Sequence, residues 1–300
     1  MTLQSKMFYK YIKAYIILCR VKTLPAAICP LAIGFGLSIK QASFNWPAAL
    51  LIIFTALGLQ ISCNVANDYY DCINQKDTIN RLGPTRVGAS GLLSIAHIKR
   101  IMYVSFLVTT LLGFLLIFKG GWGILALGTA ALLAAFLYTG GPLPYGYLGL
   151  GDIFVFIFFG PVAVCATFYL LVGSWDLYSF FISISPGLLS VALLATNNLR
   201  DIKEDTSSKK RTLAVILGPV FCKVQITLCI CVASSLPIVI FLWSNQFAFT
   251  MLTIITLFLA MPYLKIIWNK NEADLNDALV KLSKLLISFT ILFLCGLFAT

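Results

Sequence analysis

Apolar runs of helix length, separated by short polar breaks, leave this chain few ways to fold. A helix needs about 20 mainly apolar residues to cross the hydrocarbon core of a bilayer, fewer where polar turns continue it. Nine stretches qualify: Leu24 to Ile39, Trp46 to Ala66, Ile101 to Phe118, Trp122 to Tyr138, Ile153 to Val172, Leu177 to Thr196, Val224 to Trp243, Phe247 to Ile267 and Leu282 to Phe298. Only 11% of the 300 residues are charged and 60% are hydrophobic, whereas a soluble domain carries about 25% charged residues. The pattern predicts an all-α integral membrane protein, a single domain over 1–300. Its basic, amphipathic first 22 residues read as a cytoplasmic interfacial segment without a signal-peptide cleavage site.

Basic residues test this segmentation, because cytoplasmic loops hold the excess of Lys and Arg. With the N-terminus inside, all 22 Lys and Arg except Lys40 and Lys119 fall on the cytoplasmic side. Nine spans then place the C-terminus outside. The net charge of +11 therefore reads as topology and attraction to anionic lipid, not as nucleic-acid binding, for which no basic-aromatic platform is present. The 9 cysteines sit mostly inside apolar runs and read as small packing residues.

Against this background the 11 Asp and Glu stand out by where they cluster. Asp68, Asp71 and Asp77 fall in NVANDYYDCINQKD, Asn64 to Asp77; Asp201 and Asp205 fall in NNLRDIKEDTSSKKRTLAV, Asn197 to Val215. Each stretch closes an apolar run, so the carboxylates are expected at a wet, cytoplasmic mouth. Asp68 and Asp71 are i, i+3 neighbours and Asp201 and Asp205 i, i+4 neighbours, so each pair shares a helix face. Paired carboxylates with amide oxygens, without a cluster of His and Cys ligands, suit a hard ion, above all Mg²⁺. Interleaved basic residues (Lys76, Arg81 and Arg86 in the first half, Arg200, Lys203, Lys209, Lys210 and Arg211 in the second) suit a diphosphate shared between bridging metal and guanidinium forks. One such loop alone would read as a solvated, positive-inside loop; two in matching positions read as two ends of one site. Tyr69, Tyr70, Tyr138, Tyr145 and Tyr147 fall in the candidate loops, the last three in the Gly-Pro-rich YTGGPLPYGYLGLGD. His97, the single histidine, reads as an interface residue.

N-x-x-N-D-Y-x-D in one half and N-N-x-R-D-x-x-x-D in the other resemble the UbiA superfamily of intramembrane aromatic prenyltransferases. RVKTLPAAICP, RLGPTR and the Gly-Pro loop resemble its branch that acts on 1,4-dihydroxy-2-naphthoate in menaquinone synthesis. The resemblance covers the first three quarters of the chain. It implies nine transmembrane helices around a central cavity, set in a bacterial cytoplasmic membrane with the site facing the cytoplasm. It also implies Mg²⁺-assisted ionisation of a polyprenyl diphosphate, attack on the carboxylate-bearing ring carbon, and loss of CO₂ to give demethylmenaquinone. Asn67, Asp68, Asp71, Asp201 and Asp205 would surround the metals, the four acids being the catalytic set. Asn64, Asn67, Asp77, Arg81, Arg86, Tyr138, Asn197, Asn198, Arg200 and Lys210 would contact substrate. Gln75 stands where glycine is expected and Leu143 where a basic residue is often found. Sister acceptors (4-hydroxybenzoate, homogentisate, haem) remain open, as does a transporter, since intramembrane acids also mark ion paths. A CDP-alcohol phosphotransferase is disfavoured because Asp71 is followed by Cys72 where its motif requires glycine.

Overall fold

The structure, a computed structural model, describes residues 3–41, 44–76, 82–269 and 274–299. Among these the regular structure is all helical. In chain order the helices are α1 (Leu3–Cys19), α2 (Leu24–Lys40), α3 (Trp46–Ile73), α4 (Ile95–Leu137), α5 (Gly151–Ile157), α6 (Ala163–Val172), α7 (Leu177–Arg200), α8 (Ile202–Ser207), α9 (Leu213–Ser244), α10 (Ile255–Asn269) and α11 (Leu275–Phe298). A π-helical turn, Phe158–Val162, joins α5 to α6, and a 3-10 turn, Ala248–Ile254, leads into α10. Seven helical segments are long and apolar enough to cross a membrane, and α1 with α2 forms a further pair bent by 53°.

Local chemistry sets several helix starts. Asn45, Ser94 and Asp176 cap α3, α4 and α7, their side chains accepting from the N–H groups of Ala48, His97 and Ser179, which satisfies donors that a first turn leaves orphaned. α4 is 43 residues long, about 64 Å if straight, twice the thickness of a bilayer core. It is not straight. Gly121 at φ 65°, ψ −158° breaks it in a backbone region open essentially to glycine alone. The rings of Phe106 and Phe136 lie 6.0 Å apart, where a straight helix would hold them about 45 Å apart. α4 is therefore a hairpin of two limbs.

α7 is the axis of the second half. Its buried face packs with α9, α11 and α2 in the main core, which includes Ile182, Leu189, Ile226, Tyr263, Phe289 and Phe293. A separate cluster joins α1, α3 and the first limb of α4 through Ala14, Leu18, Val65, Ile98 and Met102. Several helices run past the apolar stretches that announce them. α3 continues through the acids to Ile73, α4 starts at Ile95, and α9 starts at Leu213, within a segment read as loop from sequence. The last break comes instead at Gly218 (φ 84°), inside α9.

Candidate active site

The two acidic stretches end in the same way. α3 closes with Gln75 in the left-handed region (φ 53°), the Gln75 N–H bonding the Cys72 carbonyl at 3.1 Å and the Lys76 N–H reaching back to the Asp71 carbonyl at 2.8 Å. α8 closes with Lys209 left-handed (φ 59°), its N–H on the Thr206 carbonyl at 3.2 Å and the Lys210 N–H on the Asp205 carbonyl at 2.8 Å. Both are Schellman-type caps, and each sets a lysine directly after a turn that begins at a site acid. The glycine expected at position 75 was expected where the backbone does turn left-handed. The two lysines then meet: Nζ of Lys76 and of Lys210 lie 5.9 and 5.2 Å from the centroid of one ring, Tyr147.

Asp71 is the point of convergence. Its carboxylate accepts from Arg86 Nη2 at 3.3 Å, from Lys210 Nζ at 3.1 Å and from the Tyr147 hydroxyl, so three separate loops close on one side chain. Lys76 Nζ donates to the Ser208 carbonyl, and the Arg211 N–H donates to the Tyr147 carbonyl at 3.0 Å, which ties the loops to one another. Asp68 accepts from the N–H groups of Val87 (3.0 Å) and Gly88 (2.7 Å). A Cβ at Gly88 would stand 3.0 Å from Asp68 Oδ1 and 2.9 Å from Cys72 Cβ, so that approach requires glycine. Asp201 is gripped by its neighbour Arg200, Nε at 2.6 Å and Nη2 at 2.7 Å, while Arg200 also donates to Asn197 Oδ1 (2.7 Å) and Asn276 Oδ1 (3.0 Å). The Asp205 carboxyl is pushed up to about 7 by burial, then by the charges of Asp201, Asp71 and Glu204, against the lowering effect of Lys210.

These acids are not on a wet surface, as the sequence led us to expect. Asp71 is 2% exposed, Asp68 3%, Asp201 5% and Asp205 7%. The loops fold down over them because their remaining lone pairs are satisfied by backbone N–H, Tyr147, Arg86, Arg200 and Lys210, the condition for burying a charge. Arg200, expected to grip a substrate anion, is 1% exposed and its fork is engaged with Asp201, Asn197 and Asn276.

One cavity of about 1060 Å³ runs from this mouth into the bundle. It is lined by Asn64, Asn67, Asp68, Asp71, Arg86, Tyr138, Asn197, Asn198, Arg200, Asp201, Asp205 and Lys210, the full set of expected site residues that the structure describes. Asp77 and Arg81 lie outside the described residues. Some of these side chains also hold the scaffold: Asn64 Nδ2 donates to the Cys19 carbonyl, and Asn67 Oδ1 accepts from Thr139 at 2.8 Å. Deeper, the walls are apolar, with Tyr138 edge-on to Tyr145 and Tyr145 stacked at 4.0 Å on Phe154.

Three participants escaped the sequence reading. Arg20 lines the cavity with its Nη2 buried and without a hydrogen-bond partner, held there by a left-handed backbone (φ 47°) between α1 and the turn into α2. Its place at the head of RVKTLPAAICP was the available signal. Asn276 at the start of α11 joins Arg200 to the Leu82 carbonyl (2.8 Å), and nothing local in LNDA marks it. Tyr147 was noted only as a loop aromatic.

For a metal the donor set is informative. Among the described residues no three His, Cys, Asp or Glu side chains already converge as a finished cage, and all the candidate donors are oxygens. That set fits a hard ion that keeps waters and takes some of its ligands from a phosphate, and not a structural zinc.

Buried acids and bases at the mouth of an apolar cavity, in a bundle of membrane-length helices, place this chain among intramembrane proteins with a charged site above an apolar chamber. Comparison with known proteins supplies the family. The sequence profile of the UbiA prenyltransferase family matches residues 27–289, and the chain belongs to that family; it is a prenyltransferase. It is 33% identical to the 1,4-dihydroxy-2-naphthoate octaprenyltransferase of Haemophilus influenzae over 98% of both chains. Against the enzyme of the same name from Mycobacterium tuberculosis it is 39% identical over 66% of this chain and 68% of that one. In structure it is similar to a UbiA homolog from Archaeoglobus fulgidus bound to GPP and Mg²⁺, with TM-score 0.67 and 15% identity, covering 95% of this chain and 98% of the other.

Proposed function

We propose that this protein transfers a polyprenyl group from polyprenyl diphosphate to 1,4-dihydroxy-2-naphthoate, in a single domain over 1–300. The observation that carries the reading is the joining of acids and bases from both halves above one apolar cavity, in a chain alike end to end to an enzyme named for that acceptor. Bound Mg²⁺ would neutralise the oxygens of the leaving diphosphate. Asp71 and Asp205, with Asp68, Asp201 and Asn67, would hold it. Arg86 and Lys210, which pair with Asp71 here, would be the cations nearest the diphosphate oxygens and would hold the leaving group. Arg200 orients Asp201. Breaking the C–O bond leaves both electrons on diphosphate and an allylic cation facing the rings of Tyr138, Tyr145 and Phe154, whose π faces favour a cation. The ring carbon bearing the carboxylate forms the new C–C bond, and CO₂ departs leaving its bonding pair to the ring. The transfer needs no oxidant, and its immediate product is the hydroquinone of demethylmenaquinone.

The doubling back of α4 at Gly121 and the bent α1–α2 pair support nine membrane spans. The Lys and Arg asymmetry supports a mouth on the cytoplasmic face of a bacterial membrane, N-terminus inside and C-terminus outside.

The test is detergent-purified protein with Mg²⁺, dihydroxynaphthoate and a long polyprenyl diphosphate, scored for diphosphate and a lipid quinol. A panel of 4-hydroxybenzoate, homogentisate and haem discriminates acceptors. No prenylated product from any of them would sink the reading.

A further inference from the structure

Outside the mouth and its cavity, a second hollow of about 390 Å³ lies at the opposite end of α7, beside Trp175, Asp176 and Phe180. α7 has 24 residues, so this end is about 36 Å from the acids along its axis. The lining is almost wholly apolar, and Trp175 and Phe180 are exposed at its rim. It is not isolated from the cavity. Leu127, Val162 and Ala166 line both spaces, so the partition is one side chain thick.

The helix that builds the partition is irregular there. The π-helical turn Phe158–Val162 carries Pro161, which brings no N–H to the helical ladder. π-turns insert one residue and swing consecutive side chains to different directions. Here Phe158, Phe159 and Val162 face the cavity while Pro161, Val162 and Cys165 face the outer hollow.

Length decides what this arrangement is for. The second limb of α4 lines the cavity from Ile124 to Tyr138, a wall about 20 Å tall. An extended isoprene repeat of four bonds spans about 4.5–5 Å by ordinary bond geometry, so eight repeats reach about 36–40 Å. A long prenyl chain with its diphosphate at the acids outruns the cavity.

We propose that the hollow between α4, α6 and the start of α7 is the seat of the distal isoprene units of a long prenyl chain, entered past Leu127, Val162 and Ala166. This rests on the reading of the protein as a polyprenyl transferase. Its ligand is an apolar, unsaturated hydrocarbon tail, and its rim, Trp175 and Phe180, is where that tail meets lipid.

The test uses the unmodified protein and an octaprenyl diphosphate analogue carrying a diazirine on its terminal isoprene. Photolabel on Leu127, within 161–166 or within 175–180 is the expected result, with a geranyl analogue labelling none of the rim residues. Octaprenyl label on Pro25, Ala26 or Ile287, which line another flank of the cavity, or confined to Ile124 and Leu170, overturns the proposal. In a second arm, Val162→Trp and Leu127→Trp should lower the ratio of octaprenyl to geranyl transfer about tenfold or more. An unchanged ratio in both variants overturns it too. Absence of transfer with every prenyl length in the unmodified protein defeats the transferase reading instead, and the position of the photolabel still decides the seat.

Discussion

Asp71 does two jobs that substitution can separate. In the proposed reaction it would hold the metal and act most strongly when charge develops on the leaving group, so Asp71→Asn is expected to lower kcat about 10²-fold. As the meeting point of Arg86, Lys210 and Tyr147 it also closes the loops, so the variant should unfold at lower temperature in detergent. Near-normal turnover at saturating Mg²⁺ would remove it from the metal. Arg200→Lys tests a guanidinium whose planar fork meets Asp201 while its ends reach Asn197 and Asn276. A compact ammonium cannot present a two-pronged fork to Asp201 and still reach both Asn197 and Asn276, and losing hydrogen bonds to a buried charge costs about 1.5–3 kcal/mol each. Both thermal stability and rate should fall, and wild-type values for both would return Arg200 to the topology signal. Asp205 supplies the pH dependence. If Asp205 holds Mg²⁺ as proposed, its proton, held up to about pH 7 by burial and neighbouring acids, would have to leave before the metal binds. The Mg²⁺ concentration for half-maximal activity should rise as pH falls below 7, by about tenfold per unit if one proton is displaced; Asp205→Asn should abolish that slope. The acids themselves were legible because carboxylates are scarce in so apolar a chain. Their burial was not, because it depends on Val87, Gly88, Tyr147 and Lys210, which reach them only through the fold.

At the scale of elements, the twin caps of α3 and α8 carry a side chain where a left-handed backbone favours none. A non-glycine residue in that region costs about 1–2 kcal/mol, so Gln75→Gly and Lys209→Gly should hold or raise the thermal midpoint, whereas Gln75→Val should lower it. Equal midpoints for the glycine and valine variants would contradict the cap geometry. Gly121 is the reverse case. Its φ 65°, ψ −158° is closed to side chains, and Gly121→Ala should cost about 1–3 kcal/mol, seen as lower yield of folded protein and a lower midpoint. Hydropathy located the helices and even the break near Gly121, since lipid selects apolar residues along the crossing portion. The continuation past Ala66 was announced by its turn residues and runs to Ile73, but the start of α9 at Leu213 was missed, because beyond the bilayer a helix is held by caps and packing, to which hydropathy is blind.

For the whole molecule, the mouth joins acids and bases from both halves through the contacts of Asp71 with Arg86, Lys210 and Tyr147. In the proposed reaction, adding only a cation or only an anion would break some of those pairs, while Mg²⁺ and diphosphate together would replace both sides. Inorganic diphosphate with Mg²⁺ should therefore raise the thermal midpoint well beyond the sum of either alone, by up to about 2.7 kcal/mol at a hundredfold excess over Kd; simple additivity would argue against a shared site. The hairpin in α4 bears on how such a protein is made. Its limbs meet through Phe106 and Phe136 once residue 137 has been synthesised, so a nascent chain can seat them as a pair, with Lys119 the one charged residue near the tip. The first half then waits in the bilayer with Asp68 already held by Val87 and Gly88, but with Asp71 lacking Lys210 and Tyr147. The contacts of Asp71 with Lys210 cannot form until the ribosome has passed residue 210, so the mouth is completed only when the cavity gains its second wall.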